Sequence, residues 1–400
     1  MNFAFSDEQE LLRRTARDVF ADAASLSIAQ VRALNRSGAD GDGATHFSVA
    51  TDLDDVALWR QMAELGFLGL PFAAAHGGSD GSFMDLAVIL EELGRAVGPP
   101  AYMQTVALCG MTIAASGPDA LRADWLQAIV EGRVRLSAAI AEEDGIEEVS
   151  AVRMHVRRDG DDFVLDGIKR HVEEAGRVDA YLVATGSTAD GITLFLVDSG
   201  APGITLRPQR TTAGGARADI HFDAVRVPAS RIVGEESRGE TALQGLLQRG
   251  AVAACLDMVG AGEAVLEMAV AYAAERVQFG KRIGSFQAVQ HHASNMAVDV
   301  DASRLITYQA AWKLSEGLDA AMEVAMAKAW TGEAYRRVCT LGHQIFGGIG
   351  LMREHDMHLF LRRSRRDDLL FGDAPVHLDR LAAILDTVET PWPQLRGYAP

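Results

Sequence analysis

Two short stretches in the C-terminal half of the sequence carry residue types that can hold a phosphate or a flat ring. The residues concerned are Arg276, Gln278 and Phe279 in RVQFG, and Gln344, Gly347 and Gly348 in QIFGGIG. An arginine donates charge-assisted hydrogen bonds to phosphate oxygens, and an amide side chain can bond a polar edge. Paired glycines let a backbone approach a ligand closely, and a phenylalanine adds an apolar face. Together they indicate a site for a ligand that has both phosphate and ring.

Both motifs lie in a part of the chain with a helical pattern. A second helical part lies on the other side of a small β module. Residues 1–140 show apolar residues at helical spacing, with Ser6 as a candidate cap and a Gly/Asp/Ser-rich loop at 36–48. From about Val152 to Val233, short β-branched and aromatic runs alternate with turn residues, which predicts an all-β module. The pattern is helical again over 236–387. We therefore predict an α+β fold with domains at 1–135, 136–235 and 236–400.

The bulk properties exclude several classes of function. A net charge of −17 over 400 residues argues against nucleic acid or an anionic membrane as the main partner. The three cysteines are far apart and form no C-x-x-C, so neither a disulfide framework nor a zinc site is indicated. The start has no signal-peptide pattern, and acidic residues interrupt the longest apolar run, Gly250 to Ala274. We expect a cytoplasmic chain with no metal and no membrane span.

The two motifs also carry a family resemblance. RVQFGKRI and HQIFGGIG, with AELGFLGLPFAAAHGGSDG upstream and the α–β–α order, resemble the acyl-CoA dehydrogenase family over essentially the whole chain. The resemblance implies an N-terminal helical domain, a middle small β-barrel or sandwich domain and a C-terminal four-helix bundle. It implies FAD as cofactor and an acyl-CoA as substrate, which is desaturated between its α and β carbons. An electron-transfer flavoprotein is an implied electron acceptor.

In that family, the C-terminal motifs reach across a subunit interface to an FAD seated mainly on the neighbouring chain. The resemblance therefore implies that Arg276 bonds the FAD pyrophosphate, with Gln278, Phe279 and Gln344 and the glycine pair beside it. The FAD held by QIFGGIG would belong mostly to a partner.

The catalytic base of the family is missing from both of its usual places. The family removes the substrate α-proton with a glutamate that precedes a Gly-Thr pair, and here Phe371 occupies that place, before Gly372 and Asp373. A branch of the family uses a glutamate on the helix before R-x-Q-F-G, and here that place is Gly250. Losing a positioned base costs about 10²–10⁴-fold in rate. Asp373 is a substitute candidate, although a surface or capping role is favoured.

The stretches that would serve the chain's own flavin also depart from the family. AEEDGIEEVS (141–150) has five carboxylates between Glu142 and Glu148, with Glu147 near the expected phosphate-binding serine. In GIKRHVEEAG (167–176), Lys169 is kept, but His171, Val172 and Glu173 replace the residues that flank the flavin. A carboxylate about 4 Å from one phosphate charge costs roughly 4 kcal/mol at an effective dielectric near 20. We expect the chain's own flavin seat to be degraded.

This asymmetry resembles heteromeric α2β2 members known among actinobacteria that degrade sterols, in which one chain brings the base and the other completes the FAD pocket. The first hypothesis is such a completing subunit, paired with a second acyl-CoA dehydrogenase chain. One alternative is a homo-oligomeric flavoprotein of this fold whose chemistry needs no glutamate. Another is a purely structural subunit that contacts no flavin.

An arginine-rich segment, LRRSRRDDLL (361–370), allows two interpretations. One or two arginines could meet a phosphate of CoA, or the segment could be a solvated helix surface paired with Asp367 and Asp368. The composition favours the solvated surface.

Overall fold

The N-terminal part of the chain is helical. The computed structural model describes residues 5–36, 56–143, 145, 147–187, 191–352 and 354–387. Its first helices are α1 (Asp7–Arg36), α2 (Val56–Glu64), α3 (Phe83–Arg95), α4 (Met111–Ser116), α5 (Asp119–Leu121) and α6 (Gln127–Val130), with π-helical turns at Met103–Gly110 and Arg122–Leu126. Ser6 caps α1 as predicted, since Gln9 N donates to its Oγ at 3.1 Å. The predicted loop at 36–48 lies, beyond Arg36, outside the described residues.

A two-sheet β module follows. Its strands are β1 (Leu136–Ala139), β2 (His155–Asp159), β3 (Asp162–Glu173), β4 (Ala180–Ser187), β5 (Gly191–Asp198), β6 (Ile204–Pro208) and β7 (Arg217–Pro228). One sheet has the order β1-β4-β5, with β1 parallel to β4, and the other has the antiparallel order β2-β3-β7-β6. The rings of Phe163 and Phe195, one from each sheet, pack at a tilt with their centroids 5.1 Å apart, within a shared apolar core. The predicted sandwich-type module is therefore present.

The C-terminal domain is a helical bundle built around one long helix. Its elements are α7 (Glu240–Glu275), the hairpin β8 (Val277–Gln278) and β9 (Lys281–Arg282), α8 (Gln287–Ser315), α9 (Ala321–Phe346), α10 (Met357–Leu369) and α11 (Ala374–Thr387). Most of α7 is buried because α3, α8, α9 and α10 all pack against it. This arrangement confirms the expected architecture of helical domain, β domain and bundle. None of the helices in the described parts of the chain is long and apolar enough to cross a bilayer.

The prediction of a solvated surface at 361–370 is wrong. Arg363 is 4% exposed, and its Nε donates to Asp257 Oδ2 on α7 at 2.9 Å while its Nη1 donates to Gly98 O at 2.6 Å. Arg366 and Asp367 are also buried and paired with each other. Because α10 packs between α7 and α9, this charged face of the helix points inward. Burial raises the pKa of Asp367, and the neighbouring arginines oppose that rise.

The buried pair between α10 and α7 generates a stability prediction. Arg363→Met leaves the carboxylate of Asp257 buried without its partner, which costs about 3–5 kcal/mol. The matched control is Arg238→Met, because Arg238 and its partner Glu235 are both exposed and such pairs contribute about 0–1 kcal/mol. Urea denaturation of both variants measures the difference. Equal losses of unfolding free energy in the two variants would show that the buried pair has no special weight.

Candidate functional site

Positions 250 and 371, where the resemblance would place a catalytic base, are in contact with each other. A Cβ placed on Gly250 would lie only 2.5 Å from Cε1 and 2.6 Å from Cζ of Phe371. Phe371 is 3% exposed, and Gly250 is buried within α7. The aromatic ring therefore fills the space that a longer side chain at position 250 would need. Neither position carries a group that accepts a proton.

The backbone around Phe371 is held from three sides. Phe371 has a φ of +59°, a left-handed conformation that an aromatic residue keeps only when its surroundings fix it. Its N–H donates to Glu147 Oε2 at 2.7 Å, and His377 Nε2 donates to its carbonyl oxygen at 2.9 Å. Lys328 Nζ donates to Gly372 O at 2.7 Å and to Asp368 O at 2.8 Å. These contacts fix the ring against α7.

Asp373 bonds the start of the helix that follows it. Its Oδ1 accepts a hydrogen bond from Val376 N at 3.3 Å, within the first turn of α11. At two residues beyond Phe371, this carboxylate caps a helix.

Glu142, Glu147 and Glu148 of the acidic run bond other groups of the chain, in contrast to the expected repulsion of a phosphate. Glu142 accepts from Lys169 Nζ at 2.7 Å, and Glu148 pairs with Arg380 at 2.6 Å. Burial lowers the pKa of Lys169 to about 8, against the opposing pull of Glu142. Lys169 also donates to Ile140 O, so its ammonium is committed to protein acceptors. These carboxylates are held by ion pairs and hydrogen bonds within the chain. They occupy the region through these bonds and not by repelling a ligand.

A basic cleft remains beside this region, between the β module and α10. Its volume is about 490 Å³. Its cationic and titratable lining comprises His171, Arg217, Arg362, Arg365 and Arg366, with Glu147 as a carboxylate. Arg217 pairs with Glu173, and although burial raises the pKa of Glu173, Arg366 and Arg217 lower it overall. Nε of Arg217 is buried without a hydrogen-bond partner among the described residues. The cleft favours an anion, in a chain that is strongly acidic as a whole.

The RVQFG motif lies at the exposed end of α7. Arg276 is the C-terminal cap residue of α7, is exposed, and forms no ion pair with another described residue. Phe279 follows in the β8–β9 hairpin with 90% of its surface exposed and a φ of +55°. Gln278 is exposed, and its side-chain amide donates to Val277 O at 2.8 Å. An available cation and an exposed ring fit a ligand approached from outside this chain.

The QIFGGIG motif ends α9 beside the end of α7. The rings of Tyr272, one turn before Arg276, and Phe346 are 4.9 Å apart, which brings the two motifs together. Gly347 ends α9 with a φ of +62°, a conformation that glycine adopts without strain. A Cβ on Gly347 or Gly348 would meet no atom within 4 Å, and Gln344 is exposed. We term Arg276, Gln278, Phe279, Gln344, Gly347 and Gly348 the lending half of the site. These residues fit a phosphate-bearing nucleotide.

Sequence reasoning missed Lys328 and His377, and it placed Glu147 near a phosphate rather than at the N–H of Phe371. Lys328 falls on the apolar face of α9, where an isolated lysine is a signal of a buried cation with specific acceptors. His377 and Glu147 gave no such signal, because their contacts with Phe371 join segments 6 and 224 residues apart along the chain. Across the described ranges, no group of three or more potential metal ligands lies close enough together to hold an ion.

Family models match most of the chain. The model of the acyl-CoA dehydrogenase N-terminal domain matches residues 6–133, that of the middle domain 137–225, and that of the C-terminal domain 237–385.

Individual relatives and solved structures agree with these matches. Cyclohex-1-ene-1-carbonyl-CoA dehydrogenase of Geobacter metallireducens is 30% identical over 338 residues, covering 81% of this chain and 89% of that protein. A chain of the ChsE4-ChsE5 complex from Mycobacterium tuberculosis superposes with a TM-score of 0.85 at 26% identity, covering 98% of this chain and 100% of that one. The Tcur3481-Tcur3483 steroid ACAD variant gives a TM-score of 0.83 at 29% identity, with coverages of 95% and 98%.

The contact at the base position predicts a double-mutant result. Gly250→Ala places a methyl group against the Phe371 ring and costs about 1–3 kcal/mol of unfolding free energy. In a Phe371→Ala background the same change is neutral or stabilising by up to about 1 kcal/mol, because alanine favours helix over glycine. Denaturant unfolding of the four proteins measures the coupling. An identical cost of Gly250→Ala in both backgrounds would contradict the contact.

His377 predicts a pH dependence of stability. It is 1% exposed, with Nδ1 lacking a partner among the described residues, and burial lowers its pKa to about 4. As pH falls from 6.5 towards 4 the unfolded chain binds a proton that the folded chain does not, so stability decreases by about 3 kcal/mol. His377→Gln keeps a donor for Phe371 O and removes that component of the decrease. Parallel stability–pH curves for wild type and variant would refute this assignment.

Proposed function

Because the chain belongs to the acyl-CoA dehydrogenase family, whose members are FAD-dependent oxidoreductases, we propose that it is one subunit of a hetero-oligomeric acyl-CoA dehydrogenase. Its role is to complete the FAD site of a catalytic partner chain. The reaction of the assembly is α,β-desaturation of an acyl-CoA thioester.

One contrast carries this proposal. The base position holds Phe371 packed on Gly250, so this chain has no carboxylate at either usual place. The lending half presents Arg276 and Phe279 to the outside, with open space at the glycine pair. A chain that contacts no flavin would have no use for an exposed Arg276 beside the open space at Gly347 and Gly348.

The division of chemistry follows from these residues. Bound FAD supplies the acceptor for the substrate's β-hydride. The α-proton goes to a carboxylate of the partner, since this chain offers none at the corresponding place. Arg276 holds the pyrophosphate through charge-assisted hydrogen bonds, and Phe279 covers an apolar face of the nucleotide. The ChsE4-ChsE5 complex, named for two different chains, supports a hetero-oligomeric arrangement.

The basic cleft favours a second candidate. A homo-oligomeric flavoprotein with chemistry that needs no glutamate would place its own phosphate-bearing cofactor against Arg217 and Arg366. The bonded state of Lys169 and Glu147 argues for the first candidate, because both groups are committed within the chain. The second candidate requires one FAD for every chain in material purified without a partner.

The FAD affinity of the complex tests the proposed role of Arg276. Coexpressing this chain with a family member that carries the catalytic glutamate gives the complex, and Arg276→Ala removes a charged hydrogen bond worth about 1.5–3 kcal/mol. We expect FAD to bind about 10- to 150-fold more weakly. The matched control is Arg60→Ala, on the exposed surface of α2.

Fluorescence titration of the deflavinated complexes gives the affinities. Unchanged FAD affinity in the Arg276→Ala complex would favour a purely structural subunit. An equal loss in the Arg60→Ala complex would show that the effect is one of general charge.

A further inference from the structure

Arg249, within α7, bonds two neutral groups rather than a carboxylate. Arg249 Nε donates to Ala107 O at 3.1 Å, and its Nη2 donates to Thr112 Oγ1 at 2.7 Å. Both acceptors are neutral and lie in the N-terminal helical domain. No carboxylate within the described residues forms an ion pair with this guanidinium.

The charge of Arg249 is therefore poorly compensated. Burial lowers its pKa to about 10. The group stays charged at neutral pH, so its desolvation is not offset by an ion pair within the chain.

Arg249 lines a cleft where three parts of the chain meet, which we term the Arg249 cleft. Its volume is about 660 Å³. The lining includes Ser116, Glu235, Arg238, Thr241, Gly245 and Arg249. It thus joins the helices around α4, the segment that leaves the β module, and the first turns of α7.

The cleft lies next to the unbonded edge of the guanidinium. Nη1 of Arg249 has no hydrogen-bond partner among the described residues, and it lies 3.3 Å from where a Cβ on Gly245 would be. The missing side chain at Gly245 leaves that edge open. A guanidinium edge of this kind matches two oxygens of a carboxylate or phosphate.

Two further features of the lining favour negative charge. The 36-residue helix α7 begins here without a side-chain cap, so its first N–H groups are available to an acceptor. Ser116 and Thr241, which also line the cleft, carry hydroxyl groups. Its single carboxylate, Glu235, already bonds Arg238 at 2.9 Å on the exposed rim.

We propose that the Arg249 cleft binds a small oxyanion, a carboxylate or phosphate group, between the outer edge of the Arg249 guanidinium and the N-terminus of α7. Arg249 is the principal donor, and the N–H groups of the helix terminus and the hydroxyls of Ser116 and Thr241 complete the set of donors. Such a ligand joins the N-terminal helices to the bundle, so binding raises stability. The site is independent of the lending half, which lies at the opposite end of α7.

The probes are inorganic phosphate and succinate, each compared with chloride at constant ionic strength. At ligand concentrations about tenfold above Kd, mass action raises the Tm of the purified protein by about 1–3 °C. Arg249→Gln removes this rise, and Arg60→Gln on α2 retains it. Phosphate and succinate act alike if the shared oxyanion is recognised, whereas a response to only one identifies the ligand class.

A second variant keeps the test decisive if Arg249→Gln does not fold. Gly245→Asp puts a carboxylate of the chain itself beside Nη1 of Arg249. We expect this variant to have a higher Tm in chloride and no response to either probe. The proposal is overturned if neither anion stabilises the wild type, or if Gly245→Asp responds to phosphate as the wild type does.

Discussion

The contact between the Phe371 ring and Gly250 sets the character of the region around it. A side chain at position 250 and the ring at position 371 cannot occupy the same space, since a Cβ would lie 2.5 Å from the ring. The ring is held there by bonds to its backbone from Glu147 and His377, while Lys328 holds the next residue. The acidic run of the β module is tied to the bundle by this arrangement. The resemblance places the base at positions 250 and 371, and this packing contact fills the space between them. Glu147 and Lys328 are bonded within the chain beside it.

The opposite end of α7 shows a different use of the same helix. There the structure leaves Arg276 and Phe279 exposed and the glycine pair open, although exposing a phenylalanine in water is unfavourable. Near Phe371, by contrast, Glu147 and Lys328 are bonded within the chain, and two arginines of the basic cleft, Arg217 and Arg366, pair with Glu173 and Asp367. Both ends contain arginines. They differ in whether those arginines are free to bind a ligand, not in residue type. This difference is the basis for assigning the chain a supporting role at a partner's FAD.

The sequence predicted the architecture well, because long amphipathic helices and the change to short β-branched runs are local signals. The FAD-binding residues taken from the contiguous motifs RVQFG and QIFGGIG stay a prediction. The sequence prediction was wrong about 361–370, where alternating charges are typical of a solvated helix but α10 packs between two others and its pairs with Asp257 are non-local. Glu147, which was expected to face a phosphate, instead accepts the N–H of Phe371, a contact between distant segments that no local pattern contains. The complementarity between Gly250 and Phe371 likewise depends on how two elements pack.

A structure of the two-chain complex with FAD bound tests the division of labour most directly. The account predicts that the isoalloxazine ring lies on the β module of the partner and that Arg276 of this chain contacts the pyrophosphate. It further predicts that Phe371 stays packed on Gly250, with the cleft lined by Arg217 and Arg366 free of flavin. A flavin seated in that cleft, on this chain's own β module, would contradict the account.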